Sequence, residues 1–225
     1  MTRPIIFSGP MVRAILEGRK TQTRRIVKPQ PFGKFLGLLE RPLDEGEDPV
    51  LRAWFGAGKD ELTSSEITCP HGKPGDLLWV REKWQDYCPM WDGAWCGHGT
   101  QEGIARDHQP VYAADDQAKH LRGPDGEQRL PLKWKPSIHM PHWASRITLE
   151  IVAVRVERLQ EISEEDAKAE GVEFSPSNIT LQSPFGSGVY RNGFQALWST
   201  IHAADGLNGW AANPWCWVIE FRRAA

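Results

Sequence analysis

Apolar and polar positions follow a usable period in only part of the chain. Ile5-Ile6-Phe7 is a short apolar run and predicts a strand. Met11, Val12, Ile15 and Leu16 recur at helical spacing. Ser8 or Gly9 can cap that helix, Pro10 suits its first turn, and Gly18 suits its end. Thr21 to Val27 is rich in β-branched residues and predicts a second strand, which Pro29 stops. Gly75-Asp76 is a turn into a strand over Leu77–Glu82. From Arg146 onward Ile147, Leu149 and Ile151 alternate, and the alternation then slips to Val152, Val154 and Val156. That slip predicts a bulge near Val152–Ala153. Ser163 with Asp166 three positions on resembles a capping box, opening a short helix to Glu170 that Gly171 stops. Phe194, Leu197, Trp198 and Ile201 predict an amphipathic helix. Trp215, Trp217, Ile219 and Phe221 share one face of a terminal strand.

Between these elements the pattern is lost. Residues 30–74 and 85–142 read as irregular, rich in Gly, Pro and acidic clusters, and residues 175–188 as a Ser/Pro/Gly loop. Two loops this long are unusual in one domain and are read as insertions, about 30–73 and 85–142, that cover or line a site. The expectation is a single α+β domain over 1–225. Its core blocks fall at about 4–28, 74–84, 143–175 and 190–223, in a mixed antiparallel sheet or small barrel with short helices outside.

Composition narrows the classes. The chain has 225 residues, 40% hydrophobic and 25% charged, which fits a globular protein. The longest apolar run, Trp215 to Ile219, is far short of the roughly 20 residues of a membrane span. No secretory leader is apparent, and Cys69, Cys88, Cys96 and Cys216 are too irregular for a disulfide scaffold. A reducing cytoplasm is expected. Residues 1–34 hold eight Lys/Arg against Glu17 alone, while the remaining 191 residues hold 19 basic and 28 acidic groups. A basic N-terminal element on an acidic body suggests a local anion site more than the coating of a nucleic acid. No dinucleotide glycine turn or Walker lysine is present, and no cofactor is expected.

The sharpest local signal is Gly18-Arg19-Lys20-Thr21-Gln22-Thr23-Arg24-Arg25. In an extended segment Thr21, Thr23 and Arg25 share one face, and Gln22 and Arg24 the other. The plainest reading is a solvated edge strand. Taken with Leu16-Glu17 before it, Gly75-Asp76, Glu165-Asp166-Ala167 to Glu170-Gly171, and Val218-Ile219-Glu220-Phe221, however, the segment resembles the ASCH domain family. The likeness runs over roughly 100 residues in four ordered blocks. With Lys135-Pro136-Ser137-Ile138-His139-Met140-Pro141, the chain is similar to the ASCH proteins carried by bacteriophages and prophages.

That resemblance implies a PUA-like mixed β-barrel. It also implies either RNA or modified-nucleotide binding or, as in the bacterial N4-acetylcytidine amidohydrolases, removal of an acyl group from N4-acylated cytosine compounds. The catalytic branch uses a Lys, a Thr and a Glu, which the match carries to Lys20, Thr23 and Glu170. Amide hydrolysis needs a nucleophile, a base, a proton donor and oxyanion stabilisation. Thr23 supplies a hydroxyl as nucleophile or water-orienting group. Lys20 stands among Arg19, Arg24 and Arg25, and like charge with desolvation would lower its pKa toward that of a base. Glu170 falls at a helix C-terminus, where the macrodipole disfavours a carboxylate, and is cast as the proton carrier. Arg24 and Arg25 are expected to contact substrate. Trp79 and Trp84, with Trp91 and Trp95 behind them, could form a stacking wall for a flat heterocycle, though core packing is the ordinary role of such rings. Cys69, His71, Cys88, Cys96 and His98 are soft ligand types at spacings that match no standard zinc site, so no metal is expected. His139 and His142 read as structural or exposed, and Ser137 has no triad context.

Overall fold

A computed structural model describes residues 2–44, 47–56, 65–87, 109–115, 134–173, 188–202 and 206–224. Ten strands and three short helices are described in it, a mixed α+β arrangement dominated by strands, and the described sheets are open. The chain divides into two compact units. Met1–Arg3, Ala14–Leu78 and Thr148–Ala225 form the first; Pro4–Arg13 and Trp79–Ile147 form the second. Among the described residues no helix is long and apolar enough to cross a membrane.

The predicted N-terminal elements are present. β1 is Thr2–Ile6, α1 is Gly9–Leu16 and β2 is Gln22–Ile26. Val12, Ala14 and Ile15 are buried on the inner face of α1. Gly18 adopts φ +74°, a left-handed turn that a side chain would strain, and the backbone N–H groups of Arg19 and Lys20 both donate to the Ala14 carbonyl. The chain is thereby turned at once from helix into strand.

In the first unit β9 (Thr148–Arg158), β10 (Trp215–Arg223) and β2 lie side by side and antiparallel, with β10 in the middle. The central position explains the burial of β10 on both faces, Cys216 and Val218 as well as Trp217 and Ile219. The bulge predicted in β9 is there. Ala153 pairs with Glu220 and Ile151 with Phe221, so Val152 is the extra residue, and it is exposed.

After β9 comes α2 (Glu164–Ala169), capped by Ser163, whose Oγ accepts from the Asp166 N–H at 3.0 Å. The Glu164 carboxylate in turn accepts from the first N–H groups of α3 (Val189–Ile201), those of Tyr190 and Arg191. Phe194 and Trp198 of α3 pack with Leu159, Ile162, Ala167 and Cys216. Ile201, expected on the same apolar face, is instead exposed on the last turn.

The first segment read as irregular is largely sheet. β3 (Lys34–Arg41), β4 (Val50–Gly56) and β5 (Ser65–Thr68) form a three-stranded antiparallel sheet in the order β3-β4-β5. Leu51, Ala53 and Phe55 alternate inward on β4, and Phe55 meets Phe35 and Trp215 with ring centroids 5.7 and 5.5 Å away.

In the second unit the Phe7 N–H donates to the carbonyl of Arg81, at the end of β6 (Leu77–Arg81). β7 (Trp84–Tyr87) pairs antiparallel with β8 (Gln109–Tyr112). The second segment read as irregular thus holds at least this hairpin-like pair; most of that segment, and the expected loop at 175–188 apart from Gly188, lie outside the described residues. Trp84, Tyr112, Met140 and Ala144 form a core cluster beside which Arg146 is clasped. Its guanidinium donates to both carboxylate oxygens of buried Glu82 and both of Asp115, and lies 3.9 Å from the Tyr112 ring centre.

Candidate active site

The turn after α1 delivers Lys20 to the end of α2. Lys20 and Glu170 form an isolated antiparallel bridge, and the Thr21 N–H donates to the Ala169 carbonyl at 2.9 Å. Gly171 makes this approach possible. It has φ +83°, and a Cβ there would stand 2.9 Å from the Lys20 Cβ and 3.0 Å from the Ala14 Cβ. With no side chain in the way, Lys20 Nζ donates to Glu170 twice, to its carbonyl and to its Oε2, each at 2.8 Å. Both side chains are almost wholly buried, at 2% and 5% exposure.

Burial and pairing act on Lys20 in opposite directions. Desolvation lowers its pKa, the Glu170 carboxylate raises it, and Arg25 and Arg24 lower it further. Burial wins, and the Lys20 pKa lies below the ordinary lysine value. A lysine of this kind gives up its proton more readily than one in water, which is what a general base requires.

Around the pair is a ring of further charges. Arg24 has no exposed side-chain surface; its Nη2 donates to Glu157 Oε2 at 2.8 Å and Asp166 Oδ2 at 3.0 Å, and its Nη1 lies 3.5 Å from Glu170 Oε1. Arg155 donates to Asp166 Oδ1 at 2.7 Å, to Gln22 Oε1 at 3.0 Å, and to Glu157 and Glu220. Burial alone would raise the Asp166 carboxyl, but Arg24 and Arg155 together hold it below the usual range. Arg25 is partly buried. Burial keeps its pKa below the ordinary arginine value, with the Glu170 charge pulling the other way.

Of the seven residues expected at the site, Glu170 is in ion-pair contact with both Lys20 and Arg24, and Arg25 lies within electrostatic reach of Lys20 and Glu170. Thr23 is 5% exposed on β2, opposite Ile219 of β10. The segment Lys20–Arg24 is therefore not solvated: apart from Thr21 its residues are buried, with Gln22 and Arg24 against the charges of β9 and α2. Trp79 and Trp84 belong to the second unit. Trp79 is half-buried and edge-on to His142, with ring centres 5.1 Å apart. Trp84 is core, 4% exposed, edge-to-face with Trp143 and under the Lys135 ammonium. Trp91 and Trp95 lie outside the described residues.

Sequence reasoning missed Arg155, Glu157, Gln22 and Glu220. Their signal was a pair of opposite charges two apart on β9, Arg155 and Glu157, interleaved with buried Val154 and Val156. His71, weighed in the sequence only as a metal-ligand type, has its pKa lowered to about 4, by burial first and then by the charges of Arg25 and Arg3. Among the zinc candidates Cys69 is a buried thiol, its pKa pushed up to about 11 by burial; Cys88, Cys96 and His98 lie outside the described residues. Among the described residues no three His, Cys, Asp or Glu side chains gather as a metal site would require.

The arrangement can hold one proton between a buried amine and a carboxylate and keep that pair fixed by a second layer of ion pairs. Against known family models, curated proteins and solved structures, the chain finds no match.

Proposed function

We propose that the chain is an ASCH-type amidohydrolase, built on a PUA-like barrel, that removes the acyl group from N4-acylated cytosine or cytidine in a reducing cytoplasm. The observation that carries this reading is the buried Lys20–Glu170 contact at 2.8 Å with the lysine pKa lowered. In the proposed reaction Lys20 takes the proton of the Thr23 hydroxyl, or of a water that Thr23 orients, as the oxygen attacks the acyl carbonyl. Glu170, in hydrogen-bond contact with Lys20, passes a proton to the departing amino group, the free cytosine amine leaves, and Lys20 hands its gained proton to Glu170. With water as nucleophile the acid leaves at once. With Thr23 as nucleophile its acyl ester is then opened by a water that Lys20 deprotonates, which releases the acid and restores the Thr23 hydroxyl. Arg25 is proposed to steady the developing oxyanion. Arg24, sealed inside, acts on Glu170 and not on substrate. The free buried thiols of Cys69 and Cys216 agree with a reducing setting.

The test is ultraviolet monitoring of N4-acetylcytidine and N4-benzoylcytosine, whose acylated and free forms absorb differently. Wild type is expected to turn over at least one. Lys20→Ala is expected to lose about 10²–10⁴-fold in rate, the usual worth of a positioned base. Because that variant leaves buried Glu170 only the longer Arg24 contact at 3.5 Å, Lys20→Met with Glu170→Gln is assayed beside it and its fold checked by circular dichroism. A Lys20→Ala protein with full activity would sink the mechanism. A wild type that hydrolyses neither compound, yet binds an oligoribonucleotide in a salt-sensitive manner, would favour the RNA-binding alternative.

A further inference from the structure

Asp166 stands four positions before Glu170, on the same face of α2, and both carboxylates meet Arg24 of β2. Arg24 does not treat them alike. Its Nη2 donates to Asp166 Oδ2 at 3.0 Å and to Glu157 Oε2 at 2.8 Å, while its Nη1 stops 3.5 Å from Glu170 Oε1. The last contact is an ion pair without a hydrogen bond, and neither Nη1 nor Oε1 has a hydrogen-bond partner among the described residues. An unhindered guanidinium closes on a carboxylate to about 2.7–2.9 Å. The guanidinium is also a rigid planar fork, so two carboxylates on Nη2 fix where Nη1 points. Those two are themselves anchored from β9: Arg155 donates to Asp166 Oδ1 at 2.7 Å and to Glu157 Oε1. Glu170 is further faced by Lys20 and Arg25. Cys216 of β10 lies near it and stays uncharged, its thiol pushed up to about 12 by burial.

We infer that Asp166 is a positioning residue of this site: with Glu157 it holds the Arg24 guanidinium off Glu170, leaving Oε2 to Lys20 and Oε1 open to a proton. The inference rests on the proposed hydrolysis, in which Glu170 is the proton carrier. A carboxylate hydrogen-bonded by two cations takes up a proton less readily than one bonded by a single cation. It also has less charge to offer Lys20, and that charge is what opposes burial, Arg25 and Arg24 in holding the Lys20 proton. Asp166 therefore sets, through Arg24, how far Glu170 is available to Lys20.

The test is the titration of Lys20 in the full chain, followed by the carbon-13 resonance of its Cε and assigned with Lys20→Met. Asp166→Asn keeps the size of the side chain and removes its charge. Arg24 is then expected to close on Glu170, and Lys20 to titrate about one pH unit lower than in wild type. An unmoved titration would overturn the inference. Arg155→Gln releases both carboxylates to draw Arg24 further from Glu170, and should move the titration upward instead. It decides the matter should Asp166→Asn not fold, and no upward movement would also overturn the inference. In an Arg24→Gln background Asp166→Asn should shift Lys20 far less than in wild type. An equal shift in both backgrounds would mean that Asp166 acts on the pair directly, and the route through Arg24 would be wrong. With N4-acetylcytidine as substrate, Asp166→Asn should lose about tenfold in kcat at unchanged KM, part of the 10²–10⁴ that positioned proton transfer contributes. A wild type that hydrolyses neither acyl compound would sink the proposed function and leave the Lys20 titration to decide this inference; turnover with an unmoved titration would sink this inference alone.

Discussion

Single residues in the first unit have pKa values moved from those they would have in water, and such a shift has a consequence for stability. His71 is the sharpest. In the unfolded chain it takes up a proton near pH 6.5; in the fold burial, with Arg25 and Arg3, delays that to about 4. Between these values the unfolded chain binds more protons, so stability falls as the pH drops through the window and is fully present only above it. The urea midpoint of wild type is therefore expected to decline from pH 7 toward pH 4. His71→Gln should decline less over the same interval, with the two curves separating only in that window. Equal slopes in both proteins would refute the assignment. Lys20 shows a competition inside an ion pair: burial outweighs the attraction of Glu170, and its pKa lies below the ordinary lysine value.

The elements set how far such residues can approach one another. Lys20 and Glu170 are 150 positions apart and meet because α2 ends in a glycine. Gly171→Ala would place a methyl group within 3.0 Å of both Lys20 and Ala14 at a left-handed φ. An expected loss of about 1–3 kcal/mol follows, measured by urea denaturation, with hydrolysis falling in step if the proposed activity holds. A stable Gly171→Ala protein would mean that the α2 terminus has slack.

Much of this was legible in the sequence wherever one period dominated. α1 and its terminal glycine, the slip in β9, the Ser163 cap and the inward face of β10 all follow from spacing. β3 did not, because an edge strand exposes Leu36 and Leu39, a bulge breaks its alternation and a glycine sits in its middle. β4 kept its alternation, Leu51, Ala53 and Phe55, but within an acidic, proline-bearing stretch. At the site, Lys20 and Glu170 stood out as chemistry. Arg155 and Glu157 did not, since charges two apart on a strand read as its wet face until Asp166 and Arg24 are seen to cover them.

On the scale of the whole chain, the uneven charge along the sequence becomes pairing within the fold. The basic residues near the N-terminus find acids far along the chain: Arg3 meets Asp76, Arg19 meets Glu173, Lys20 meets Glu170, and Arg24 meets Glu157 and Asp166. The second unit has its own knot, in which Arg146 neutralises a Glu82 that is only 1% exposed and whose carboxyl burial pushes upward. Arg146→Met would leave that carboxylate buried and alone, and a loss of about 3–5 kcal/mol is expected in thermal or chemical unfolding. Adding Glu82→Met should recover part of it; a double variant no more stable than the single would mean that Arg146 acts through Tyr112 and Asp115 instead.

The extra residue in β9 has a consequence for chain length. Leu149 and Ile151 point inward at odd positions, Val154 and Val156 at even ones, and the change of parity happens at Val152. Loss of one residue at that point would close the ladder against Glu220 and Phe221 with both inward sets still inward. Loss of one residue elsewhere in the strand would turn the positions beyond it outward, so Val152 is where β9 can shorten without inverting.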